Sequence, residues 1–259
     1  MVRLTRKRLF FCLLALQLCL TAGSHARIGA LPPVPVPAPS LPEANMKTIY
    51  LFSGLGADHR AFRNLELPGY RKVFINWIPP LPHESMEHYA GRIRAQISTP
   101  HPVLLGLSFG GMIAVEVAKQ LEAEKVILVS SAKTQADLKA GSSLFFRWRL
   151  YKLIPASLIR RPNFIVNRLF GAVSGADKQL LGEILEDTDI RFFRWAMDNM
   201  VSWNNQTVPA HLIHIHGTDD KIIPYADLKA NYSIEGGGHL MILNKADTIS
   251  RIILDFLDR

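Results

Sequence analysis

Cysteine is nearly absent. The 259 residues hold two, Cys12 and Cys19, both inside an N-terminal apolar run. From residue 20 onward the chain can therefore form neither a disulfide nor a thiolate metal site, and it offers no thiol nucleophile. Acidic residues are missing from the start as well. Glu43 is the only one before residue 46, against five cations: Arg3, Arg6, Lys7, Arg8 and Arg27. The formal charge of +8 falls to +4 once those five positives and one negative are taken away. The basic balance thus belongs partly to the leader and argues poorly for nucleic-acid binding. No basic repeat, zinc spacing or RNA-binding signature argues for it either. A stable membrane span needs roughly 20 apolar residues, and the run at 9–20 is shorter. No internal repeat is present.

The N-terminus has the layout of a secretory signal. A cationic start precedes the apolar run, and Ser24-His25-Ala26 places small residues where a signal peptidase would cut after Ala26. Residues 27–45 are proline-rich, the composition of an extended spacer. This predicts a signal peptide over 1–26, a linker over 27–45 and a periplasmic or secreted protein. Met46 stands directly before the first strand pattern, and translation from there would leave the protein cytoplasmic.

From Met46 to the C-terminus, short β-branched runs alternate with amphipathic segments. Strands are expected at 48–52, 72–78, 102–107, 125–130, 211–216 and near 230–234. Helices are expected at about 86–97, 109–121 and 245–257, where Ile249, Ile252, Ile253 and Phe256 share a side. Hydrophobic residues are 48% of the chain, enough for a sizeable core. Runs that are apolar on both sides fit a sheet covered on both faces. Strand–helix alternation predicts a mostly parallel α/β sheet of about six strands. Residues 133–209 break the rhythm with helical patterns and no good strand. Ten of the 23 aromatics fall in this stretch, under a third of the chain, which favours an inserted helical cap with an apolar underside. Trp148, Trp195 and Trp203 are its candidate substrate contacts.

Gly106-Leu107-Ser108-Phe109-Gly110 is a G-x-S-x-G motif. Alone the pattern is a weak signal. Here it follows an apolar strand and opens a helix, the setting that places a serine on a tight, strained turn. Its glycines remove side chains that would collide at that turn. The helix start supplies unpaired N–H groups and a positive dipole. Ser108 is the candidate nucleophile, and the N–H of Phe109 would face a developing oxyanion.

On this motif, and on three further loops in order after their strands, the chain from 47 to 259 resembles the α/β-hydrolase family. His216-Gly217-Thr218-Asp219-Asp220 followed by Ile223-Pro224 is similar to the family's acid-bearing loop, with Asp220 at the acid position and Asp219 as the alternative. Gly236-Gly237-Gly238-His239 resembles the loop that presents the family's histidine. Ser53-Gly54-Leu55-Gly56 corresponds to its oxyanion loop, with Ser53 where the family usually has histidine. The family's first two antiparallel strands have no counterpart here. The resemblance implies a triad of Ser108, Asp220 and His239, oxyanion donors from Leu55 and Phe109, and hydrolysis of a carboxylic ester or thioester through an acyl-enzyme. It implies a small-molecule acyl substrate and neither metal nor organic cofactor. Acyl transfer or carbon–carbon hydrolysis could use the same triad, and a slow-turnover ligand sensor is the rival outside enzymology.

Three further features have plainer readings. His214 and His216 share one face of their strand; a metal site there would need another ligand from elsewhere, and buried structural histidines are the expectation. Residues 145–152 interleave cations with aromatics, as an amphipathic helix with a solvated basic face does. His59 lies near the oxyanion loop in sequence and is a candidate neighbour of the site.

Overall fold

The structure, a computed structural model, describes residues 46–141, 160–225 and 228–259. The leader, the proline-rich spacer, Trp148 and the 145–152 stretch lie outside the described residues.

Six strands form one sheet: β1 (Lys47–Phe52), β2 (Tyr70–Phe74), β3 (Val103–Leu107), β4 (Lys125–Val129), β5 (Leu212–Gly217) and β6 (Tyr232–Ile234). Their order is β2-β1-β3-β4-β5-β6 and every pairing is parallel. Side-chain alternation along each strand divides the core in two. Ile49, Leu51, Leu105, Ile127 and Ile215 face one side. There they meet Phe62, Leu65 and the Ile249, Ile253 and Leu257 stripe of the C-terminal helix, Ala246–Leu257. Tyr50, Phe52, Leu104, Val126 and Leu128 face the other side. They pack on α1 (Met86–Ile93) and α2 (Phe109–Ala118). Both faces are covered, as the continuous apolar strands require.

The expected strand at 72–78 ends instead at Phe74. After Ile75 donates to the Leu51 carbonyl, the chain leaves the sheet. The Ile78 backbone then binds the Tyr89 hydroxyl in both directions, at 3.0 Å and 2.9 Å. Trp77 packs against Tyr89 and Phe109. The apolar run is buried by packing rather than by pairing.

Between β4 and β5 the described residues hold four helices and no strand: α3 (Gln135–Gly141), α4 (Phe164–Phe170), α5 (Gly175–Glu186) and α6 (Ile190–Ser202). A capping box at Ser174 and Asp177 starts α5, and the Asp189 side chain caps α6. α5 contributes Leu180 and Ile184 to one half of the core, and α6 contributes Phe192 and Ala196 to the other.

The chain runs outward from β1 to β2, then returns to place β3 on the other side of β1. This is a topological switch point, and ligands of open α/β sheets bind at the carboxyl ends of the strands beside it. The loops after β1 and β3 carry Ser53-Gly54 and Ser108. No helix among the described residues is long and apolar enough to cross a membrane.

Candidate active site

Ser108 stands between β3 and α2 with φ 53° and ψ −124°, a conformation that costs a non-glycine residue on the order of 1–3 kcal/mol. Its surroundings hold it there. Its N–H donates to Val129 O at 3.0 Å, and its carbonyl accepts from Gly111 N–H at 2.9 Å and from Ser131 Oγ at 2.7 Å. The flanking glycines are required by close approach. A Cβ on Gly106 would lie 2.3 Å from Gly111 Cα, and one on Gly110 would lie 2.2 Å from Ser53 O. The turn is therefore pressed against both α2 and the end of β1.

His239 reaches this serine from the loop after β6. Its Nε2 is 2.8 Å from Ser108 Oγ, and its Nδ1 is 2.8 Å from Asp220 Oδ2. Oδ1 of Asp220 accepts the N–H groups of Ile222 and Ile223 at 2.8 and 2.9 Å, so the carboxylate cannot rotate freely. Burial works to raise the pKa of Asp220. The adjacent His239, His216 and the Ile223 N–H outweigh it and hold the carboxyl below the usual carboxylate range. Asp219 is exposed; its N–H donates to Gly237 O. Of the two candidate acids, only Asp220 is brought to the histidine.

The loop after β1 closes the opposite side. A Cβ on Gly54 would sit 3.5 Å from Ser108 Cβ. Ser53, which stands where a histidine is usual, is buried and donates from Oγ to Ala57 O at 2.6 Å; Ala57 N–H returns to Gly54 O at 3.0 Å. The hydroxyl thus pins the turn. Among the described residues no protein acceptor takes the N–H of Leu55 or of Phe109, and a first helical residue such as Phe109 has none within its own helix.

The helical insertion touches the loops after β1 and β6 and the turn at Ser108. The Phe170 ring stands edge-on to His239 at 5.7 Å, and the Phe170 carbonyl accepts Leu240 N–H at 2.8 Å. Gly56 adjoins Thr188, between α5 and α6, so closely that a Cβ would meet Thr188 Oγ1 at 2.5 Å. Arg60 bonds Asp187 at 2.6 Å. Phe192 and Trp195 set their rings perpendicular to Phe109, each at 6.0 Å, and Trp77 completes the aromatic group.

Trp195 is half-buried in that group, its Nε1 bonded to Glu84 O at 2.8 Å. Trp203 is buried and spends its Nε1 on Glu116 Oε1 at 2.7 Å. It joins the end of α6 to α2 and presents no free polar edge. His59 is exposed and packs on Phe74. No trio of His, Cys, Asp or Glu that could hold a metal occurs among the described residues. Trp77 and Phe170 carry no sequence signal beyond hydrophobicity, and only the folded chain brings them to the site.

The profile of the alpha/beta hydrolase family matches residues 38–251. Among curated proteins none matches the sequence. Solved structures share the fold at low identity. A hydrolase from Oleispira antarctica superposes with a TM-score of 0.64 at 15% identity, over 83% of this chain and 92% of its own. A thermophilic esterase from Thermogutta terrifontis gives 0.62 at 18%, over 82% and 89%. A bromoperoxidase from Bacillus anthracis gives 0.56 at 16%, over 83% and 92%.

Proposed function

Since the chain belongs to the α/β-hydrolase family and is a hydrolase, we propose that it cleaves carboxylic esters or thioesters through an acyl-enzyme on Ser108. The observation that carries this reading is the unbroken run from Ser108 Oγ to His239 and from His239 to Asp220, each contact 2.8 Å long. A serine hydroxyl is a weak nucleophile until a base takes its proton. His239 Nε2 accepts that proton as Oγ attacks the carbonyl carbon. Asp220 accepts the Nδ1–H, which selects the tautomer with its lone pair on Nε2 and stabilises the imidazolium once formed. The negative charge on the carbonyl oxygen is met by the N–H groups of Leu55 and Phe109. His239 then gives its proton to the leaving group, takes one from water as the water oxygen attacks the acyl carbon, and returns it to Ser108 Oγ as the acid departs. The steps require neither metal nor organic cofactor.

Residues 133–209 act in this reading as the cap over the site. The aromatic group of Trp77, Phe109, Phe192 and Trp195 favours an apolar acyl or alcohol portion, and the bromoperoxidase likeness supports the fold alone. We also infer that 1–26 directs export, so that protein recovered outside the cytoplasm begins at Arg27; an intact mass that includes the leader there would contradict this. The reaction is tested with p-nitrophenyl esters and acyl thioesters of graded chain length. Turnover that vanishes in a folded Ser108→Ala variant supports the proposal, and equal turnover in that variant refutes it.

A further inference from the structure

Behind Asp220 the polar chain continues through groups that the hydrolytic steps do not use. His216 Nε2 lies 2.8 Å from Ile223 O and 3.4 Å from Asp220 Oδ2. His216 Nδ1 lies 3.1 Å from His214 Nε2, and His214 Nδ1 lies 3.3 Å from Lys133 Nζ. Lys133 also reaches Lys229 O at 2.9 Å and Asp137 Oδ2 at 3.4 Å. Both imidazoles have no exposed surface. Two neutral rings in contact on one strand face, sealed from water, are costly to bury unless every ring nitrogen is matched.

The donor sense of each link follows from its ends. An ammonium has only hydrogens to offer, so in the Lys133–His214 contact it is Nδ1 that accepts. His214 then carries its hydrogen on Nε2 and donates to His216 Nδ1. That leaves the His216 hydrogen on Nε2, bonded to the Ile223 carbonyl, which can only accept, with the Asp220 carboxylate 3.4 Å away. Reversing the chain would turn a ring lone pair toward two oxygens at the acid's back.

We propose that Lys133, His214 and His216 form a directed donor chain that positions the Asp220 carboxylate and moderates its grip on His239. The proposal rests on the triad reading and deepens it: these are positioning residues, acting on the reaction through Asp220. The His216 N–H, bonded to the Ile223 carbonyl, lies 3.4 Å from Oδ2, the oxygen that takes the His239 Nδ1–H. It therefore draws off part of the charge that would otherwise stabilise the His239 imidazolium. Burial keeps both rings neutral, holding His214 down at about 2 and lowering His216. The ionisable groups facing these rings are Asp220 and His239, Lys133 of the β4–α3 connection, Asp137 of α3, and Tyr225, whose ring stacks on His216. The Ser131 carbonyl also faces His214 and is the partner that would take its Nδ1–H if the chain reversed.

The test compares wild type with Lys133→Met, Lys133→Arg, His216→Leu and His216→Gln, using p-nitrophenyl acetate hydrolysis across pH 5–9. Loss of the donor in Lys133→Met and His216→Leu is expected to move the acid limb of kcat/KM upward by about half to one pH unit. It should also lower kcat several-fold with KM unchanged. Arg and Gln, which restore an N–H in place, are expected to return the limb toward wild type. A folded Lys133→Met or His216→Leu enzyme with the wild-type limb overturns the proposal, even if its melting temperature falls. Should these variants not fold, 15N NMR of the wild-type imidazoles decides alone: both rings are expected as Nε2–H tautomers, and an Nδ1–H tautomer at His216 overturns the chain. Wild type that neither hydrolyses the ester nor reacts with a fluorophosphonate would defeat the hydrolase reading instead, while the NMR result would stand by itself.

Discussion

Changing Asp220 to asparagine separates the two candidate acids and tests the proton chemistry together. Oδ1 of Asp220 accepts two backbone N–H groups, from Ile222 and Ile223. An asparagine in this place must keep its carbonyl oxygen there, so its NH2 takes the position of Oδ2. That group faces His239 Nδ1, now 2.8 Å from the carboxylate, and a donor there forces Nδ1 to accept. The imidazole hydrogen moves to Nε2, toward Ser108 Oγ, and the base has no lone pair for the serine proton. The expected loss is about 10⁴-fold in kcat, the scale of a wrong-tautomer triad, or about 5.5 kcal/mol of transition-state stabilisation. The assay is initial-rate hydrolysis of p-nitrophenyl acetate, with circular dichroism to establish folding. Asp219→Asn, altering an exposed side chain, is expected to retain near wild-type rates. A crippled Asp219→Asn beside an active Asp220→Asn would refute the reasoning.

Gly110→Ala would place a methyl against the Ser53 and Phe52 carbonyls, backbone that cannot swing away; urea denaturation is expected to show a loss of about 1–3 kcal/mol, and unchanged stability would mean the turn is looser than described. Trp203→Phe would leave Glu116 Oε1 without its buried donor and is expected to cost about 1–3 kcal/mol in the same measurement. Acidification should destabilise the protein. His214 and His216 are held below their unfolded value, so they stay neutral when folded while the unfolded chain binds protons below about pH 6.5. Each then costs about 1.4 kcal/mol of stability per pH unit as pH falls below that value, and costs nothing above it. Asp220, also lowered, adds to the loss at more acidic pH. A melting temperature that is flat between pH 7 and 5 would contradict the buried, neutral pair.

Much of the scaffold was legible because its signals are local. Alternation along β1, β3 and β4 marks both sheet faces, and the G-x-S-x-G turn declares its tight bend through glycines that neighbouring backbone leaves no room to replace. The order of the acid and histidine loops could likewise be read from short segments. Residues 72–78 misled because an apolar run records burial without recording what buries it: Trp77 leaves the sheet to pack on Phe109. Trp203 looked like the other aromatics of the insertion, since only the distant Glu116 shows it to be a tether. The pairing of Lys133 with His214 spans 81 positions, and neither residue's own neighbourhood signals it. The closeness of Thr188 to Gly56 and of Phe170 to His239 is likewise a product of tertiary packing alone.

The central claim is that one hydroxyl, held on a strained turn and served by His239, is the nucleophile. Its most direct test is the reaction of the folded protein with a fluorophosphonate, followed by intact mass and peptide mapping. A single adduct on Ser108, absent in Ser108→Ala and strongly slowed in His239→Ala, is the expected result. No adduct on folded protein, or an adduct on another residue, would contradict the account.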